Sequence, residues 1–91
     1  MYRGYIALIN KSEKNNADYG VMFPDFPGCV FGGKSVDEAL KNAKEGLAFH
    51  IEVLVDAEEV LPKPSTSSSA LNKYGDNTVA FVFIYIYADY T

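Results

Sequence analysis

Residues Tyr19–Leu47 read YGVMFPDFPGCVFGGKSVDEALKNAKEGL. This run decides the fold because it spells out a strand, a two-proline turn, a second strand and a capped helix without interruption. Tyr19 to Phe23 is β-rich, and Pro24 ends it, since proline lacks a backbone donor and holds the residue before it extended. Pro27 and Gly28 then force a turn into Cys29 to Phe31. Gly32 and Gly33 permit positive φ or a close backbone approach ahead of Ser35. Ser35 and Glu38 make a Ser-x-x-Glu capping box, which satisfies two free amides at a helix start. From Val36 the apolar positions Ala39, Leu40, Ala43, Leu47, Ile51 and Leu54 keep a 3.6-residue period and form one stripe that must pack on a sheet. Glu38, Glu45, Glu52 and Glu59 fall on the opposite side. Pro62 and Pro64 stop the helix or its extension by about Val60.

Upstream, Tyr2 to Ile9 is apolar on both alternating sets, Ile6 and Leu8 on one and Tyr5, Ala7 and Ile9 on the other, so it reads as a central strand covered on both faces. Asn10 to Asp18 is polar and turn-prone, and it closes an antiparallel hairpin whose tip is expected to be mobile. Downstream, Ser65 to Ser69 reads as a polar loop leading into a short helical turn at Ala70 to Lys73, and Tyr74 to Asn77 as another turn. The last strand, Thr78 to Tyr87, places Phe81, Phe83, Tyr85 and Tyr87 on one face and Val82, Ile84 and Ile86 on the other. The expected fold is therefore α+β, in the order β-β-β-α-β: a four-stranded mixed sheet with one long helix on one face and a right-handed crossover into the last strand. One helix covers one side of such a sheet, so the second side needs a partner, another subunit or the linker.

The run Pro24, Asp25, Phe26, Pro27, Gly28, followed by Gly33, Ser35, Glu38, Ala39 and Leu40, resembles the N-terminal domain of HicB-type antitoxins. The hallmark of that family is a hydrophobic strand ending in Pro-Asp-hydrophobic-Pro-Gly, then Gly, a Ser or Thr cap and Glu-Ala-hydrophobic. Motif agreement runs from Tyr5 to about Ser65 and continues more loosely through the last strand. The resemblance implies a partial RNase H-like fold and a toxin-antitoxin module of type II. In such a module the domain binds a small basic HicA-type toxin, an mRNA-cleaving ribonuclease, and masks its catalytic histidine stoichiometrically. Many members add a C-terminal helix-turn-helix or ribbon-helix-helix domain that binds DNA. Here the expectation is a single domain over residues 1–91 with no C-terminal DNA-binding domain. A stand-alone dimerising regulatory module without a toxin partner is the alternative.

Ninety-one residues, 48% hydrophobic and 22% charged, suit one soluble domain that buries about 60 to 65% of its unfolded surface. With Cys29 as the single cysteine, no intramolecular disulfide can form, which points to the cytoplasm. Neither Tyr5 to Ile9 nor Val79 to Ala88 is long enough for a signal core or a membrane span. A formal charge of −4 lacks the basic footprint of a phosphate-backbone binder and suits a basic protein partner.

Catalytic chemistry finds little support. Two-metal nucleases on an RNase H-like frame hold ions about 4 Å apart with clustered carboxylates, one from the centre of the first strand, and Tyr5 to Ile9 offers none. Asp25 and Asp89 are separated and read as turn or solvated residues. His50 borders the apolar stripe as a packed or half-exposed side chain, and Cys29 is a small buried residue at a strand start without a neighbouring base. Gly32, Gly33 and Lys34 lack GxGxxG or Walker spacing and read as a tight strand-to-helix connection. The aromatic last strand lacks the basic rim of a single-strand binder. No enzyme activity, cofactor or metal is expected. The expected partner surface is the acidic helix face with the proline turn, namely Asp25, Phe26, Glu38, Glu45 and Glu52. The competing reading is an ordinary solvated face. Self-association as a homodimer or higher oligomer is expected through Phe81, Phe83, Tyr85 and Tyr87.

Overall fold

A computed structural model describes residues 2–11, 18–75 and 78–87. In chain order these form β1 (Tyr2–Lys11), β2 (Tyr19–Met22), β3 (Val30–Gly33), α1 (Val36–Asp56), α2 (Ser67–Tyr74) and β4 (Thr78–Tyr87). The tip of the first hairpin, the end of the turn at Asp76 and Asn77, and Asp89 lie outside the described residues.

The α+β class and the order of the strands around α1 stand as read, with a second helix before the last strand, and β1 is an inner strand, as its two apolar faces anticipated: the sheet order is β3-β2-β1-β4. The sheet is not mixed. Each neighbouring pair is antiparallel, Leu8 opposite Met22, Val21 opposite Phe31 and Tyr5 opposite Ile84. The reason lies in the path after α1. Residues 57–75 carry the chain to the second face and along it, so β4 enters where β1 ends, with Thr78 opposite Asn10. A direct crossover from β3 through one helix would have needed a parallel strand.

The main core lies between α1 and the sheet. Tyr5, Ala7 and Ile9 of β1, Val21 and Phe23, and the helix stripe Ala39, Ala43, Leu47 and Ile51 are buried there. Each large side chain so buried contributes about 1.5–3 kcal/mol from leaving water. The second face carries a smaller cluster in which Ala70 of α2, with Leu71, covers Ile6, Leu8 and Met22. A second helix therefore exists where only a short turn was expected. Its serine-rich sequence offers few apolar residues, but Thr66 caps it by accepting from the Ser69 amide at 3.2 Å, and docking supplies the rest.

The start of α1 follows its capping residues. Ser35 Oγ accepts from the Glu38 amide at 3.0 Å, and Glu38 Oε1 accepts from the Lys34 amide at 3.1 Å. Its end is earlier than the prolines implied. The Glu58 amide donates to the Val55 carbonyl and the Glu59 amide to the Leu54 carbonyl, the paired bonds of a Schellman motif. Glu58 occupies the left-handed position of that motif at φ 58°, where glycine is the usual residue.

Two glycines have separate duties. Gly28 takes a φ of 90° in the proline turn. Gly33 provides the close approach: a Cβ there would stand 2.5 Å from the Ala39 backbone nitrogen. Because the obstacle is helix backbone and cannot rotate away, Gly33→Ala is expected to cost about 1–3 kcal/mol. Urea unfolding checks this as a lowered midpoint at unchanged slope.

Candidate interaction surfaces

Glu38, Glu45 and Glu52 are all exposed on α1, opposite its buried stripe. Glu38 is also engaged in capping, as its hydrogen bond to the Lys34 amide shows. The sequence reading missed Phe49, which is 68% exposed beside Val53 at 49%. Phe49 lies four residues after Glu45 and three before Glu52, spacings that put all three on one helix face. That off-stripe aromatic between two glutamates was the available signal. From Glu45 to Pro62 the chain carries Glu45, Glu52, Asp56, Glu58 and Glu59 and no lysine or arginine, and the last turn of α1 has no basic residue. The outer face of the C-terminal half of α1 is thus apolar in the middle and acidic around it.

In the proline turn, Phe26 and Asp25 are both engaged within the fold. Its backbone folds as two successive tight turns, the Phe26 amide donating to the Phe23 carbonyl and the Cys29 amide to the Phe26 carbonyl, both at 3.0 Å. Phe26 is only 3% exposed, packed edge-on against Tyr5 and His50 at centroid distances of 4.7 and 5.8 Å. It belongs to the core, which corrects its place among the expected contact residues: a side chain in a turn still goes inward when the turn closes over the end of a sheet. The Asp25 carboxylate accepts from the Ser65 amide at 2.9 Å and from the Ser65 hydroxyl. Asp25 thereby fastens the segment after α1 to the turn, and Tyr5 Oη, donating to the Pro62 carbonyl at 2.7 Å, fastens it a second time.

Phe81, Phe83, Tyr85 and Tyr87 are 40%, 38%, 61% and 55% exposed. They share the second face with Tyr2, whose ring meets Tyr87 edge-on at 5.1 Å. The Tyr85 ring fills the space beside Gly4, where a Cβ would meet it at 2.6 Å. α2 sits over β1 and β2 and leaves this stripe open. Among the described residues, no strand pairs with the outer edge of β4.

The chemistry-bearing residues stay apart. Burial raises the Cys29 thiol above its ordinary range, which keeps it protonated and unreactive. His50 is half-buried against Phe26. At the start of α1 the Gly32 carbonyl accepts from Asn42 Nδ2 at 2.8 Å, and with the Ser35 and Glu38 bonds this gives the tight connection in place of a phosphate cradle. Among the described residues, no three His, Cys, Asp or Glu side chains gather as a metal site, and no helix is long and apolar enough to cross a membrane.

A family model described as the HicB-like antitoxin of bacterial toxin-antitoxin systems matches residues 5–88. The chain belongs to the HicB-like antitoxin family. It is 42% identical over 72 residues to an uncharacterised 14.9 kDa protein from the rep-hol intergenic region of Haemophilus phage HP1, covering 77% of this chain and 54% of that protein. It therefore spans about half the length of that relative. The N-terminal domain of Burkholderia pseudomallei antitoxin HicB has the same fold, with a TM-score of 0.67 and 27% identity across 99% of this chain and 100% of that one. A chain of the HicA3 and HicB3 toxin-antitoxin complex matches with a TM-score of 0.59 at 27% identity, covering 99% and 100%.

Proposed function

We propose that this chain is the neutralising domain of an antitoxin, binding a small basic HicA-type ribonuclease and covering its catalytic histidine. The observation that carries this reading is the outer face of α1, where exposed Phe49 and Val53 are ringed by Glu45, Glu52 and Asp56. An apolar anchor inside a charged rim is how partner surfaces combine affinity with steering, since the anchor slows dissociation and the rim speeds encounter with a basic partner. The match to a chain of a toxin-antitoxin complex supports the same partner class.

In this reading residues 1–91 suffice for neutralisation, make no direct nucleic-acid contact, and act in the cytoplasm without turnover, cofactor or metal. Glu38 contributes field only, because its carboxylate caps the helix, while Asp25 acts by holding the turn in shape. The open β4 edge favours a second reading, a self-associating regulatory module without a toxin.

The experiment is a titration of the purified domain into a basic ribonuclease encoded beside it, following RNA cleavage and complex mass together. Cleavage is expected to stop at a fixed stoichiometry as the complex appears. An excess of folded domain that leaves cleavage untouched and forms no complex would end the antitoxin reading and leave the module.

A further inference from the structure

We infer that β4 pairs edge to edge with the β4 of a second copy, antiparallel about a twofold axis at Ile84, joining two four-stranded sheets into one of eight strands. Exposed strand edges carry unpaired amides and carbonyls, and folded proteins usually blunt them with charge, proline, brevity or a bulge. Ten residues long, β4 reads TVAFVFIYIY, with no charge and no proline. Its register shift against β1 falls between Ile9 and Asn10, at the Thr78 to Ala80 end, so Phe81 to Tyr87 is regular.

That seven-residue window is complementary to itself. Set antiparallel about Ile84, Phe81 faces Tyr87, Val82 faces Ile86 and Phe83 faces Tyr85, so every aromatic residue meets an aromatic and every aliphatic an aliphatic. Such matched pairs are what stabilise antiparallel strands, and a symmetric interface requires this self-matching. It also places the two aromatic stripes side by side on the face that α2 leaves open.

Charge selects the occupant. Each copy carries −4, so like copies repel over most of their surface, yet β4 contributes none of that charge. Salt consequently has opposite effects on the two associations proposed for this chain. Screening relieves repulsion between copies and tightens the β4 pairing, whereas it loosens a complex held by the carboxylates of α1. The pairing is independent of the toxin reading.

Sedimentation velocity over a wide concentration range, at low and high salt, tests it. The wild-type protein is expected to double in mass with concentration, more readily at high salt. The double variant Phe83→Lys, Tyr85→Lys, altered at two exposed positions, should stay monomeric with unchanged circular dichroism. A wild-type protein that remains monomeric throughout, or a folded double variant that still dimerises, overturns the proposal. Hydrogen exchange on the wild-type protein gives a reading that needs no variant. Outward amides of Phe81 to Tyr87 should slow by at least about tenfold between monomer and dimer. A dimer that forms without that slowing does not use this edge, and the inference fails. Inhibition of ribonuclease by the monomeric double variant keeps the antitoxin reading separate from this one.

Discussion

Tyr5→Ala is expected to lose about 3–5 kcal/mol, the cost of removing a large buried aromatic side chain and leaving a cavity. For a domain whose whole stability is about 5–15 kcal/mol, that empties much of the folded population. Tyr5 is fully buried on the inner strand β1, its ring packs edge-on against Phe26, and its hydroxyl donates to the Pro62 carbonyl 57 residues away. One side chain thus joins the sheet, the proline turn and the segment that follows α1. Tyr5→Phe keeps the ring and deletes the hydroxyl, which donates to the Pro62 carbonyl and accepts from Arg3 Nη1 at 3.5 Å, so it should cost about 1–3 kcal/mol, chiefly by leaving the carbonyl short of a partner. Chemical denaturation of the two variants separates packing from hydrogen bonding; equal losses would mean that the ring contributes little.

If the chain neutralises a basic ribonuclease as proposed, the triple variant Glu45→Lys, Phe49→Ala, Glu52→Lys is expected to bind that partner at least about a hundredfold more weakly while keeping its melting temperature. Loss of a central aromatic anchor costs about 2 kcal/mol or more at an interface, and reversing two rim charges adds repulsion against a basic partner. All three positions are exposed, and none lies in the buried stripe. Calorimetric titration of each single variant divides the effect. Phe49→Ala should act on dissociation, and the lysine substitutions on association and its salt dependence. Undiminished affinity in the triple variant would show that the glutamates form an ordinary solvated face and that this face is not the partner contact.

The strands, the proline turn and the start of α1 were legible in the sequence because each depends on neighbours within a few residues. Pro24 and Pro27 act on their own backbone, and Ser35 and Glu38 satisfy amides three or four positions away. What was not legible depends on distant parts of the chain. The antiparallel entry of β4 follows from the path of residues 57–75, which no local pattern encodes. α2 has only Ala70 and Leu71 to offer its small cluster, so its periodicity is faint and its existence rests on docking over Ile6 and Leu8. The burial of Phe26 needed knowledge that the turn closes over Tyr5. Phe49 is obscured for the opposite reason: the 3.6-residue stripe accounts for the core so fully that the pattern does not mark an aromatic residue outside it.

The end of α1 leaves the helix electrically unbalanced. Its backbone is tied off well by the Schellman pair, yet the negative pole of the helix dipole faces Asp56, Glu58 and Glu59 with no cation in the last turn, an arrangement that costs about 0.3–1 kcal/mol for each nearby like charge. Glu58 adds the expense of a left-handed backbone without glycine. The isolated domain therefore holds a helix terminus that is less stable than its fold allows, and a cation arriving there supplies the counter-charge that the last turn lacks. Binding and folding become one linked equilibrium: a basic partner seated on this end tightens the helix by the same free energy with which the helix holds the partner.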